Sequence, residues 1–260
     1  MNAVARRVRA VLPPIVFGAL FLAAWEAFVT WRDIKPFVLV KPSKVWSAGL
    51  DNLQRIADAM EVTGTNALIG LVAGTLLGCL VALLAAGVRW VGELVNPVAA
   101  AVNAIPIVVL IALFTRLYEA DSETPRRIMS TLAAFFVVFI NVSRGLRQSS
   151  PTQLELMRSF AASPRQQFVK VRLPNAMSFL FTGIRVAAPL TVITAVVAEY
   201  FGGSQNGLGS RITSNVANSR NAVAWAYVLG ACVLGLTFYM ISIALERVST
   251  HNRGIAPRGA

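Results

Sequence analysis

The sequence predicts an all-α, polytopic membrane protein with about six transmembrane helices. Three observations carry that prediction. Of 260 residues, 56% are hydrophobic and 14% charged, and the mean hydropathy is +0.63, so there is too little charge for a water-facing surface. The apolar residues gather in runs near the ~20 residues that cross a bilayer core as a helix. The net charge of +12 flanks those runs instead of forming a patch interleaved with aromatic rings, which reads as membrane topology and not as a nucleic-acid surface.

The first apolar run covers about 11–31, behind Arg6, Arg7 and Arg9. It is long for a signal-peptide core and lacks a small-x-small cleavage site, so an uncleaved span is expected. Glu26 lies near its outer end, where a carboxylate snorkels to the interface or faces the bundle. In the next segment Val45, Trp46, Leu50, Leu53, Ile56, Ala57 and Met60 recur at helical spacing after Lys41-Pro42-Ser43. That pattern predicts an amphipathic helix lying along the membrane surface.

The second span, about 63–86, carries Gly70, Gly74 and Gly78 at intervals of four, continued by Ala82 and Ala86. This makes a nearly bare helix face suited to close helix packing. The third, about 94–117, contains Pro97 and Pro106, each of which removes a backbone hydrogen bond and kinks or breaks the helix. Asn103 suits two roles there: lining a pore, or satisfying the carbonyl freed by the proline. A polar loop, 116–127, leads to the fourth span, about 128–146. The fifth, about 176–201, holds Arg185 and Pro189 and ends at Glu199; Gly202-Gly203 and Gly207-Leu208-Gly209 then predict a flexible turn. The last, about 222–245, precedes a basic tail with Arg247, Arg253 and Arg258. All of 1–260 reads as a single membrane domain.

Between the fourth and fifth spans, residues 147–175 are polar and basic. Ser150 with Gln153 and Ser163 with Gln166 have capping-box spacing, and each Ser precedes a proline suited to the first helical position. Helices are expected over 151–160 and 164–172, the second broken at Leu173-Pro174 because a residue before proline is pushed from the α region. Two short helices at a tight bend make a rigid knob. A positive φ at Ala161 in that bend would cost about 1 kcal/mol.

Six spans place both termini on one side. With that side inside, Arg6, Arg7, Arg9, Arg89, Arg144, Arg147, Arg158, Arg165, Lys170, Arg172 and the tail arginines face the cytoplasm, with only Glu93, Glu155 and Glu246 among them. This predicts a bacterial plasma-membrane protein with cytoplasmic termini and a cytoplasmic knob. Cys79 and Cys232 lie in apolar runs and read as small buried side chains. His251 is the only histidine, so neither a metal set nor a cofactor site is expected.

The positions of Glu155, Ala161, Val171, Leu173 and Pro174 resemble the cytoplasmic loop of ABC-importer permeases. Leu156 and Met157 stand for that loop's two alanines and Ala161 for its glycine. Val197-Ala198-Glu199 followed by Gly-Leu-Gly, and the Pro-Ser pair at 42–43, resemble the nitrate/sulfonate/taurine branch. Asn103-Ala104-Ile105-Pro106 resembles the family's proline-containing pathway helix. The resemblance spans about 41–247.

It implies the membrane subunit of an ABC importer, paired with a second copy as a homodimer, two cytoplasmic ATPase subunits and an extracytoplasmic solute-binding protein. Glu155, Met157, Arg158, Phe160, Ala161, Ala162, Ser163, Pro164 and Arg165 would then couple to the ATPase, the knob's apolar anchor being Leu154, Met157 and Phe160. Asn103, Pro106 and Glu199 would belong to the pathway or gate, with Glu199 either salt-bridged to Arg211 or Arg220 or acting as a plain interfacial carboxylate. The chain would perform no chemistry, since it contains no Gly-x-x-x-x-Gly-Lys-Ser/Thr loop. Relatives in this branch carry nitrate, alkanesulfonates, taurine, and vitamin precursors such as the thiamine pyrimidine or riboflavin. The alternative class is a secondary transporter driven by an ion gradient, which usually shows internal repeats; no convincing repeat is present.

Overall fold

Every regular element among the described residues is helical. The computed structural model describes residues 3–251 apart from Arg89, Gly92, 95–96, 98–104, 120–121 and 203. In chain order the helices are α1 (Ala3–Trp31), α2 (Pro42–Asp51), α3 (Leu53–Gly87), α4 (Ile107–Leu117), α5 (Thr124–Arg147), α6 (Pro151–Ser159) and α7 (Pro164–Gln167). A π-helical turn, Phe168–Arg172, leads into α8 (Leu173–Phe201), and α9 (Leu208–Ala217) and α10 (Asn221–His251) follow among the described residues. Among the described residues, five stretches are long and apolar enough to cross a membrane: Leu12–Trp31, Leu53–Gly87, Thr124–Arg147, Pro164–Phe201 and Asn221–Val248. The helix α4, which starts directly after Pro106, is apolar but shorter.

The bundle is built around α8, which packs against α3, α5 and α10. One core joins α3, α5 and α8 through Ala82, Ala134, Val138, Phe139, Leu146 and Ala187. A second joins α3, α8, α9 and α10 through Ile56, Ala67, Val192, Leu208, Tyr227 and Leu234. Ala67, Ala82, Ala134 and Ala187 stand at these crossings, small side chains suited to a setting where lipid supplies no hydrophobic drive and close contact must hold helices together. Gly70, Gly74 and Gly78 all face α5. A Cβ on Gly70 would overlap Ser130, one on Gly74 would sit 2.5 Å from the Thr131 carbonyl oxygen, and one on Gly78 3.0 Å from the Phe139 nitrogen.

The surface helix expected over the 43–60 region is two elements. The short α2 ends at Asp51, Asn52 (φ −117°, ψ 17°) interrupts, and Leu53, Ile56, Ala57 and Met60 already belong to α3. The reason is burial: Ile56 packs beside Val192 and Tyr227 under α10, so α3 begins ten residues before the predicted span. Glu26 is half-buried. Its carboxylate accepts Ser43 N–H at 3.0 Å and Ser43 Oγ–H at 2.8 Å, bonding α1 to the first turn of α2.

The break expected at Leu173-Pro174 is absent. Leu173 keeps α-helical angles (φ −66°, ψ −45°), and its N–H bonds back to Phe168 O, five residues earlier. A π turn is wider than an α turn, so it absorbs both the donor that Pro174 lacks and the room its ring needs. Helix therefore continues from Pro164 to Phe201.

Candidate functional site

Two polar assemblies stand at opposite ends of the bundle. The first is the knob, 148–172, between α5 and α8. Ser150 starts α6 with its backbone alone, its side chain making no cap bond, so only the second of the two expected capping boxes forms. At the end of α6 the Ala162 N–H bonds Met157 O and the Ala161 N–H bonds Arg158 O, both at 2.9 Å, with Ala161 at φ 51°. This is the Schellman pattern with alanine at the left-handed position. One residue later, Gln166 N–H donates to Ser163 Oγ at 3.3 Å while Ser163 N–H donates to Gln166 Oε1 at 2.8 Å. Gln167 Nε2 adds a bond to Ala162 O at 3.0 Å, and the bend is thereby fixed from both sides. At its base, Asn175 Nδ2 bonds Gly145 O at 2.7 Å, tying the start of α8 to the end of α5.

No residue of α6 or α7 is buried. Glu155, Arg158, Phe160, Ala161, Ser163, Pro164 and Arg165 are exposed, and Met157 and Ala162 are half-buried. The apolar side chains that stand most clear are Phe160, 76% exposed, and Leu156, 57% exposed; Leu154 and Met157 are more covered.

The second assembly lies where α5 begins and α8 ends, beside α3 about three turns into that helix. Glu199 is 1% exposed and Thr63 fully buried. Thr63 Oγ–H reaches both Glu199 oxygens at 3.0 Å, and Glu199 Oε2 accepts Gly209 N–H at 2.8 Å. These contacts replace the expected Arg211 or Arg220 bridge. The glycines after Glu199 explain the outcome: a Cβ on Gly207 would overlap the carboxylate, and one on Gly209 would meet the Val196 carbonyl. They admit close approach of the α9 backbone, where the sequence suggested looseness.

Beside this pair, Arg126 is buried to 1% exposure. It donates to Glu123 at 2.6 Å, to Asn206 Oδ1 at 3.1 Å and to Ser204 O at 2.5 Å. Glu123 also accepts from Asn66 at 2.6 Å, Ser204 at 2.7 Å and Asn206 at 3.1 Å. Burial pushes the Glu123 carboxyl up, but these hydrogen bonds and the Arg126 guanidinium outweigh it and hold the group below its ordinary value. Sequence reasoning missed Thr63, Asn66, Glu123 and Arg126, because apart from the Glu123–Arg126 pair, three residues apart, the partners that assemble them are distant in the chain.

Pro106 caps the start of α4 and lines a cleft of about 340 Å³ with Ile105, Leu110, Met129, Phe136 and Leu190, an apolar set. Asn103 lies outside the described residues. Among the described residues no group of three or more His, Cys, Asp or Glu is placed to hold a metal ion.

Residues 74–251 match the sequence family described as the binding-protein-dependent transport system inner membrane component. The chain belongs to this family. It is a multi-pass inner-membrane protein and a permease subunit of an ATP-binding-cassette importer. The permease is 27% identical to a probable ABC transporter permease protein of Haemophilus influenzae, over 90% of this chain and 94% of that protein. It is 30% identical to the formylaminopyrimidine transport permease protein ThiX of Halalkalibacterium halodurans, over 76% of this chain and 78% of the relative. Among solved structures, an amino acid ABC transporter crystallised with histidines shares the fold. Its TM-score is 0.63 at 15% identity, covering 76% of the permease and 95% of that chain.

Proposed function

We propose that the permease, as a homodimer, carries a small solute inward across the bacterial plasma membrane. Two cytoplasmic ATPase subunits dock on the knob, and an extracytoplasmic binding protein delivers the solute at the opposite end. The observation that carries this reading is the knob itself. It is a rigidly bonded bend with Phe160 and Leu156 exposed on an otherwise polar surface, the arrangement that suits an apolar anchor entering a partner's groove. Glu155, Arg158 and Arg165 flank the anchor and would make the polar contacts around it.

The continuous helix from Pro164 to Phe201 supports the mechanism. Its 38 residues make a rod of roughly 57 Å at 1.5 Å per residue. Movement of the knob by ATPase closure would tilt this rod and α5 together, because Asn175 joins them at the base. The far end of the rod carries Glu199, which with Pro106 and Asn103 we assign to the pathway or gate. The tilt is a rigid-body switch between two packings. Both termini would be cytoplasmic, on the knob's side, in line with the basic residues there.

For the solute, we infer the range of the nitrate/sulfonate/taurine branch, including vitamin precursors such as the thiamine pyrimidine or riboflavin; the ThiX relative's name points to a formylaminopyrimidine. Glu155→Lys and Phe160→Ala, made separately, test the docking assignment. Each should leave the subunit inserted while ATPase co-purification and transport fall. Normal transport with normal co-purification in both variants would sink the assignment.

A further inference from the structure

The short helix α9 has no cap of its own. Its N-cap residue is Gly207, which offers no side chain to the first amides. Those amides are satisfied from outside the element. Leu208 N–H donates to Thr63 Oγ at 2.9 Å, and Gly209 N–H donates to Glu199 Oε2 at 2.8 Å. Thr63 belongs to α3 and Glu199 to α8, and the Thr63 hydroxyl proton closes the set by bonding the Glu199 carboxylate at 3.0 Å. Thr63 and Leu208 are fully buried and Glu199 is 1% exposed, so water has no access to replace a lost bond.

A ten-residue helix is marginal when isolated, and its start depends on such bonds. Here the cap is shared between two membrane helices, so it exists only while the two stay together there. Hydrogen bonds weaken steeply with stretching and misalignment. A small parting of α3 from α8 at this end therefore leaves at least one of the two α9 amides unsatisfied. The preceding residues do not share that dependence, because Ser204 and Asn206 are held by Arg126 and Glu123 at the start of α5.

We propose that Thr63 is a positioning residue of the transport cycle, forming with Glu199 a cap that seats α9 only while the far end of α8 is closed on α3. On this reading α9 loosens when the two part, while residues 204–206 stay attached to α5. The inference rests on the importer reading above, in which ATPase closure tilts α8, and adds that this tilt parts its far end from α3. It extends the gate assignment of Glu199 by naming its partner and the element the two hold.

The test is hydrogen exchange resolved at the Leu208 and Gly209 amides, on the full permease in nanodiscs with its co-purified ATPase, with and without a non-hydrolysable ATP analogue. In the parent, the analogue should lower protection at these amides roughly five- to tenfold. Thr63→Val should show the lowered protection in both states, and Thr63→Ser should restore both the protection and its nucleotide dependence. Parent protection that ignores the nucleotide would reduce the cap to a static structural contact and overturn the proposal. So would a Thr63→Val variant as protected as the parent. An assembly that fails to retain an ATPase counts against the importer reading instead, and the cap is then judged from Thr63→Val against Thr63→Ser on the permease alone.

Discussion

Ala161 sits at φ 51°, where an L-residue is strained and glycine is not. Relief of that strain is partly offset by the greater freedom glycine gives the unfolded chain. Ala161→Gly should therefore stabilise the permease by about 0.5–1 kcal/mol, seen as a higher thermal midpoint in detergent; a lower midpoint would contradict the Schellman geometry. Glu123 yields a pH prediction with a definite sign. Its folded value lies below the ordinary one, so its stabilising effect is complete above the ordinary glutamate range, about pH 4 to 5, and is lost as pH falls through the depressed folded value. Glu123→Gln should lower stability at neutral pH and flatten the acid limb of a stability profile. An unchanged acid limb would mean the cluster contributes nothing. The sequence exposed Glu199 because a charge ends an apolar run, and Ala161 because it stands where the resembled loop has a glycine. Arg126 gives no such signal: it follows a polar loop as an exposed arginine would, and only Ser204 and Asn206, some eighty residues later, reveal its burial.

At the scale of elements, local chemistry was legible where the signal and the bond are neighbours. Ser163 with Gln166 forms its box, and the row of Gly70, Gly74 and Gly78 faces a helix. It failed where tertiary burial decided the outcome, as when Ile56 was drawn into the core and extended α3. Three non-glycine residues, Asp33, Ala161 and Ser219, end α1, α6 and α9 at positive φ, and none of these stops could be read from a glycine. The row of glycines gives the clearest prediction. At Gly74 even a Cβ would lie 2.5 Å from the Thr131 oxygen and 2.8 Å from the Phe135 nitrogen, both backbone atoms that cannot swing aside. Gly74→Leu should cost at least the upper end of the usual overpacking range, about 3 kcal/mol, and reduce yield and assembly without altering solute preference. A variant that expresses and transports like the parent would mean that the α3–α5 crossing is looser than described.

For the whole molecule, composition and the placement of arginines carried the class, because a bilayer imposes constraints a sequence must obey at every turn. The mechanical plan was less legible. Leu173-Pro174 reads as a break by the ordinary rule for proline, and the chain instead stays helical by widening one turn. That widened turn has a consequence in angular phase. A π turn accommodates one more residue than an α turn, and each residue of an α-helix advances about 100° around the axis. The extra residue therefore sets the direction in which α7 and Phe160 point relative to the bundle, much as a washer sets where a bolt head stops. Val169 lies in this turn and is half exposed, so deleting it removes little packing. The deletion should leave the spans inserted and Glu199 bonded to Gly209, yet mis-aim the knob and uncouple ATP hydrolysis from transport. Two measurements decide it: yield in the membrane, expected to hold, and solute uptake, expected to fail. Intact uptake would show that the knob's bearing is set by the ties at its base, through Asn175, and not by the count of residues in the turn.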